Sequence, residues 1–68
     1  MHDKNGKEIH VDDFVRLTTY INGEQRSVVA QVLVTKPGSD TCNVYVGVPY
    51  RSLAIREEYA NAKDVEVV

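Results

Sequence analysis

Few residues in this chain could do chemistry, and their spacing limits what that chemistry is. Two histidines and one cysteine, His2, His10 and Cys42, are the soft metal ligands of the 68 residues. No two of them stand at the C-x-x-C or H-x-x-x-H spacing that puts ligands around one ion. The stretch "DKNGKE" begins like a calcium loop, but His10, Val11 and Asp12 follow and no Glu closes it at the twelfth position. Two carboxylate pairs occur, Asp12-Asp13 and Glu57-Glu58. On a strand, neighbours point to opposite faces, so neither pair can share a proton across one site, and the four read as solvated edge charges that discourage strand-to-strand aggregation. Cys42 as a nucleophile needs a base within hydrogen-bond reach, and nothing in the sequence places His10 there. These observations predict no metal, no cofactor and no catalytic residue.

What remains is a set of tyrosines and arginines: Arg16, Tyr20, Tyr45, Tyr50, Arg51 and Arg56. Both types are enriched at binding hot spots, because they combine contact area with directed hydrogen bonds. Tyrosine is also simply a good strand former on an exposed face.

The elements that carry these residues fit one small domain, residues 1–68. Hydrophobic residues make up 43% and charged residues 26%, a globular balance. Eight basic against ten acidic residues give a net charge of -2 and a pI near 5.5, which disfavours a strong polyanion binder. A single cysteine permits no internal disulfide. With no signal-peptide pattern and no apolar run near membrane-spanning length, the expectation is a soluble, cytoplasmic chain that does not enter a membrane. Stability is expected to be on the order of a few kcal/mol at this size.

Asn22-Gly23 sits between two apolar-rich stretches, and both residues tolerate the positive φ of a type I′ hairpin turn. A two-residue turn there sets Ile21 opposite Glu24, Leu17 opposite Val28 and Val15 opposite Ala30. The other face then carries Arg16 with Val29, Thr18 with Ser27 and Tyr20 with Gln25, so apolar and polar sets separate. The run "VVAQVLVT" continues the second strand, with Val28, Ala30, Val32 and Val34 inward. Val29 and Leu33 make its outer face more apolar than solvent requires. Pro37-Gly38 suits a type II turn. "CNVYVGV" alternates cleanly, with Val44, Val46 and Val48 inward. A tight turn at "PYRS" would place Tyr50-Arg51 on an exposed loop and return the chain so that Val46 meets Ile55 and Val48 meets Leu53. Tyr45 would then face Arg56 and Gly47 would face Ala54, leaving a shallow spot on the outer face. "ANAKD" reads as one helical or 3-10 turn and "VEVV" as a last short strand. Asn5-Gly6 reads as a further turn. The expected core is Ile9, Val11, Val15, Leu17, Val28, Ala30, Val32, Val34, Val44, Val46, Val48, Leu53, Ile55, Val65 and Val67.

Three stretches resemble the SH3-like small β-barrels, a group that includes KOW and Tudor-type modules. "NGKEIHVDDFVRL" is similar to the entry G-x-x-I-x-V-G-D-x-V-R-V of many bacterial members, with Asp12 where a glycine is usual. "SVVAQVLV" resembles the second, bent strand, and "ANAKDVEVV" resembles the closing 3-10 turn and fifth strand. The resemblance covers most of the chain and implies an all-β, five-stranded barrel with a 3-10 turn before the last strand. It implies no activity, because the fold hosts many. The short Asn22-Gly23 turn leaves no room for the long first loop of the proline-rich-peptide binders, and the aromatic count disfavours a methyl-lysine cage. "NVYV" is the one echo of the "V-Q-I-Y" stretch of the type II dihydrofolate reductases, which work as tetramers around a pore.

The functional expectation is therefore a non-catalytic binding module. Its outer sheet face, with Arg16, Tyr20, Val29, Leu33, Tyr45 and Arg56 and with Tyr50-Arg51 nearby, would meet a protein partner or a second copy of the chain. The alternatives are a nucleic-acid-binding barrel using Arg16, Arg51, Arg56 and the tyrosines, and an oligomeric pore enzyme.

Overall fold

The computed structural model describes residues 1–38, 41–51 and 54–68, with side chains at all of these except positions 50, 51 and 54. Five antiparallel strands form one sheet: β1 (Phe14–Ile21), β2 (Glu24–Thr35), β3 (Val44–Arg51), β4 (Ala54–Ala60) and β5 (Glu66–Val67), in the order β4-β3-β2-β1-β5. A 3-10 turn, Ala62–Asp64, precedes β5. The chain is all-β, as expected. Among the described residues no strand pairing joins β4 to β5, so the sheet is open where a closed barrel was expected. No helix of the described residues is long and apolar enough to cross a membrane.

The first hairpin follows its sequence. Asn22 (φ 53°) and Gly23 (φ 80°) make the turn, and the register runs from Ile21↔Glu24 to Phe14↔Gln31. Inward residues are fully covered: Val15, Val32, Val44, Val46, Val48 and Val65 are all buried, with Ile9, Leu17, Ala30 and Ala62 around them. Val28 and Val67 are partly buried against this core. Each buried branched side chain contributes about 1.5–3 kcal/mol relative to exposure, which for a chain this short must offset the backbone entropy almost alone.

Three expected core residues lie at the surface, each for a local reason. Val11 is 50% exposed because His10–Asp13 is a turn, closed by the Asp13 N–H donating to the His10 carbonyl at 3.1 Å. Val34 is 44% exposed because β2 carries a bulge between Val32 and Val34. The extra residue, Leu33, reverses the alternation beyond it, so Val34 turns outward beside Tyr45 and Thr35 inward beside Val44. Ile55 is 72% exposed because β3 and β4 pair three residues away from the expected register: Val46 meets Glu58, Val48 meets Arg56 and Pro49 meets Ile55. An odd displacement moves every β4 side chain to the other face. β3 also runs on through Pro49 and Tyr50 to Arg51, so no turn occurs at Pro49–Arg51. Proline is tolerated there because β2–β3 pairing stops at Gln31↔Gly47. Leu53, also expected in the core, lies outside the described residues.

The N-terminal segment is fastened to β5 by one carboxylate. Buried Asp3 accepts from the Asn5 N–H (2.9 Å) and Lys7 N–H (2.8 Å) on Oδ1 and from the Val67 N–H (2.7 Å) on Oδ2. Its pKa is held below the ordinary 3.8, first by the Val67 bond and then by those from Lys7 and Asn5, against the opposing cost of burial. A depressed carboxylate pKa contributes stability that is complete above the ordinary value and lost as pH falls through the folded one. Asp3→Asn is therefore expected to lower the unfolding midpoint at pH 7 and to flatten the fall in stability below about pH 4, as followed by circular dichroism. At the other turn, Asp12 holds φ 76°, at the third position where glycine is favoured. Asp12→Gly is expected to raise stability by about 0.5–1 kcal/mol in urea unfolding, and Asp12→Val to lower it by about 1–2 kcal/mol.

Candidate functional site

Because β4 is displaced, its side chains sort differently from the expectation. Ile55, Glu57 and Tyr59 share the outer face with Tyr45 and Gly47, and Arg56 and Glu58 share the inner one. On the outer face the Tyr45 and Tyr59 rings lie 4.6 Å apart between centroids, tilted by 51°. Lys36 Nζ stands 4.6 Å from the Tyr59 ring centroid and donates to its hydroxyl at 2.8 Å. The Tyr45 hydroxyl donates to Glu57 Oε2 at 2.5 Å. These contacts fix the two tyrosines against each other on the outer face, a ring pair worth about 0.5–1.5 kcal/mol beyond the area covered.

Beside the tyrosines lies an apolar ridge. Gly47 has no side chain, and the space above it is taken by its neighbours: a Cβ there would come 3.1 Å from Ile55 Cγ2 and 3.5 Å from Leu33 Cδ1. Leu33 reaches the space over Gly47 from β2 and Ile55 reaches it from β4. Val29 (42% exposed) and Val34 (44%) continue the ridge along β2.

The expected site residues therefore divide. Val29, Leu33 and Tyr45 stand on the outer face as anticipated. Arg16 is on it too, bound to Glu66 at 2.9 Å. Arg56 is not: it points inward, pairs with Glu58 at 3.0 Å and donates to Thr19 Oγ1 at 2.9 Å, so the expected Tyr45–Arg56 stack does not form. Tyr20 is 63% exposed at the far end of β1, beside a groove. The side chains of Tyr50 and Arg51 lie outside those described. Sequence reasoning missed Ile55, Glu57, Tyr59 and Lys36. The signal for them was present, since "NVYVGV" and "IREEYA" pair tyrosine with tyrosine once the strands are slid by three residues. Arg16 and Arg56, on opposite faces and each ion-paired, do not form one basic surface.

The groove has a volume of about 600 Å³ and runs between the second half of β1 and the end of β4, with the 3-10 turn at its base. Leu17 and Val65 line it together with Tyr20, Tyr59, Glu58 and Asp64. Cys42 stands exposed at its margin, with φ 52°. His2 lies 3.0 Å from Glu8 and His10 lies 3.6 Å from Asp13, so neither histidine approaches the cysteine's surroundings through a described contact. Among the described residues no three His, Cys, Asp or Glu side chains group as metal ligands. Asp13 Oδ2 accepts the His10 N–H at 2.9 Å, and Glu57 and Glu58 serve opposite faces, so neither acidic pair forms a dyad. No family model, curated protein or solved structure matches this chain.

The Tyr45–Glu57 bond has a measurable consequence. Donation to Glu57 is the largest of the causes that raise the Tyr45 pKa above the ordinary 10.0, followed by partial burial. The bond needs the neutral phenol, so its contribution is complete below the ordinary tyrosine value and lost as pH rises through the folded one. Absorbance titration at the phenolate band is expected to show one tyrosine ionising later than a free tyrosine, and Glu57→Gln to bring it back toward the ordinary range. A wild-type curve with no delayed tyrosine contradicts the contact.

Proposed function

We propose that this chain is a non-catalytic binding module that associates with a second copy of itself through the outer face of the sheet. The observation that carries the reading is the ridge over Gly47. Leu33 and Ile55 meet above a position without a side chain, so the surface is apolar and low, and Ile55 is 72% exposed although it packs nothing of the core. Singly exposed apolar residues are ordinary, whereas a contiguous exposed patch marks an interaction surface.

The charges support a like partner. The outer face bears both signs, with Lys36 beside Tyr59 at one place, Glu57 beside Tyr45 next to it, and the Arg16–Glu66 pair further along. In a two-fold arrangement contacts are reciprocal, so a surface bearing both signs allows each cation to meet the anion of the other copy. Tyr45 and Tyr59 are already immobilised by their mutual contact and their hydrogen bonds, so little side-chain entropy is lost on docking.

Light scattering after size exclusion is expected to give a concentration-dependent mass that approaches twice the 7.6 kDa of one chain. Ile55→Asp is expected to weaken association by at least about tenfold, the loss of a central apolar contact, with the unfolding midpoint little changed. A wild-type protein that stays monomeric at millimolar concentration overturns the reading, as does an Ile55→Asp variant that associates as well as the parent.

A further inference from the structure

We propose that the groove between β1 and β4 is a second binding site, which takes an extended peptide segment as an added strand and selects one whose side chains alternate between apolar and basic. The groove shares Tyr59 with the outer face but is otherwise lined by different residues, among them Leu17, Thr18, Tyr20, Asp64 and Val65.

The backbone supplies the first part of the argument. In a hairpin with a two-residue turn, the pair flanking the turn, Ile21↔Glu24, exchanges its hydrogen bonds, and alternate residues of each strand then face away. Along β1 this turns the peptide groups of Phe14, Arg16, Thr18 and Tyr20 away from β2. β5 uses the first two: the Val68 N–H donates to the Phe14 carbonyl at 3.0 Å, and Arg16 pairs with Glu66. Then the partner strand stops. The 3-10 turn Ala62–Asp64 carries the preceding chain away from β1, so the lane beside Thr18 and Tyr20 holds no strand among the described residues. Both residues line the groove. Among the described residues β4, on the far side, likewise pairs only with β3. A free edge usually invites uncontrolled pairing, and proteins blunt it with charge, proline or a bulge. Here the edge of Leu17–Ile21 has none of these within it, and Leu17, Thr18 and Tyr20 line the cavity of about 600 Å³. Five residues of strand span about 16 Å, at roughly 3.3 Å each.

The side chains select the occupant. Leu17 and Val65 give the groove an apolar floor, and the charged residues that line it, Glu58 and Asp64, are both acidic. Asp64 is exposed, and Glu58 is spanned on one side by Arg56 at 3.0 Å. An added strand presents alternate side chains to opposite sides. One set would enter over Leu17 and Val65, and the next would lie toward the carboxylates and the Tyr20 and Tyr59 rings, where lysine or arginine is the complementary partner.

The test is a titration of the isotopically labelled protein with blocked pentapeptides, followed by amide chemical shifts. Acetyl-VKVKV-amide is expected to bind with shifts centred on Thr18, Tyr20 and Tyr59, and acetyl-VEVEV-amide at least tenfold more weakly. VKVKV methylated on alternate backbone nitrogens should lose binding if a strand is added, because the donors that pair with β1 are gone. Asp64→Asn, at an exposed position, is expected to weaken VKVKV several-fold and leave the fold intact. The proposal is overturned if VKVKV produces no shifts in the groove, if VEVEV binds equally well, if N-methylation is without effect, or if the shifts fall only around Leu33 and Ile55.

Discussion

The register between β3 and β4 governs nearly everything that this small sheet can do. Strand side chains alternate with a period of two, so an odd displacement between neighbours exchanges the faces of a whole strand. The displacement is set at the end where β4 stops. Asn43 Oδ1 accepts the Ala62 N–H at 2.8 Å, and Asn61 Oδ1 caps the same 3-10 turn by accepting from the Lys63 N–H at 3.0 Å. The first bond ties the residue before β3 to the turn after β4, the second holds that turn in shape, and Val44 stands opposite Ala60. From that clamp outward, Tyr45 must meet Tyr59, and Val46 must meet Glu58.

The clamp trades apolar burial for polar order. Ile55 leaves the core, and Arg56 and Glu58 take inward positions that a simple hydrophobic pattern would deny them. The inward charges are accommodated because they satisfy each other and because Arg56 reaches Thr19 on β1, across a sheet in which β1 and β4 are not neighbours. That hydrogen bond links β4 to β1 on the inner side of the open sheet. On the outer side the compensation is the tyrosine pair with Lys36 and Glu57, which covers aromatic area and meets each hydroxyl with a partner. The same choice leaves a low apolar ridge and a groove beside a strand edge, so a chain of 68 residues presents two dissimilar surfaces.

Much of this was legible in the residues. Asn22-Gly23 dictates its hairpin and register without help from tertiary structure, because positive φ at two successive positions admits few other turns. The alternating valines of β3, the 3-10 turn and the short last strand follow from pattern as directly. Two features were hidden. The bulge at Leu33 lies within "VVAQVLVT", where every residue suits a strand and nothing marks the extra one. The β4 register depends on a side chain, Asn43, that reaches a backbone group nineteen positions away, and hydrophobic pattern alone favours the alternative that buries Ile55. The outer face was therefore foreseen as a surface, from Val29 and Leu33, but filled with Arg56 where Ile55 and Tyr59 stand. The groove was not foreseen, since it arises where β5 ends too soon beside β1, which no local motif records.

The register itself is the claim to measure first, by cross-strand proton contacts in solution. In the arrangement described here Tyr45 and Tyr59 are directly opposite, as are Gly47 and Glu57, so their α-protons should give strong mutual contacts and the two tyrosine rings should see each other. Contacts of Tyr45 with Arg56 and of Val46 with Ile55 would instead place β4 in the register that hydrophobic pattern prefers. Ile55 would then belong to the core, and both the ridge and the lining of the groove would have to be abandoned.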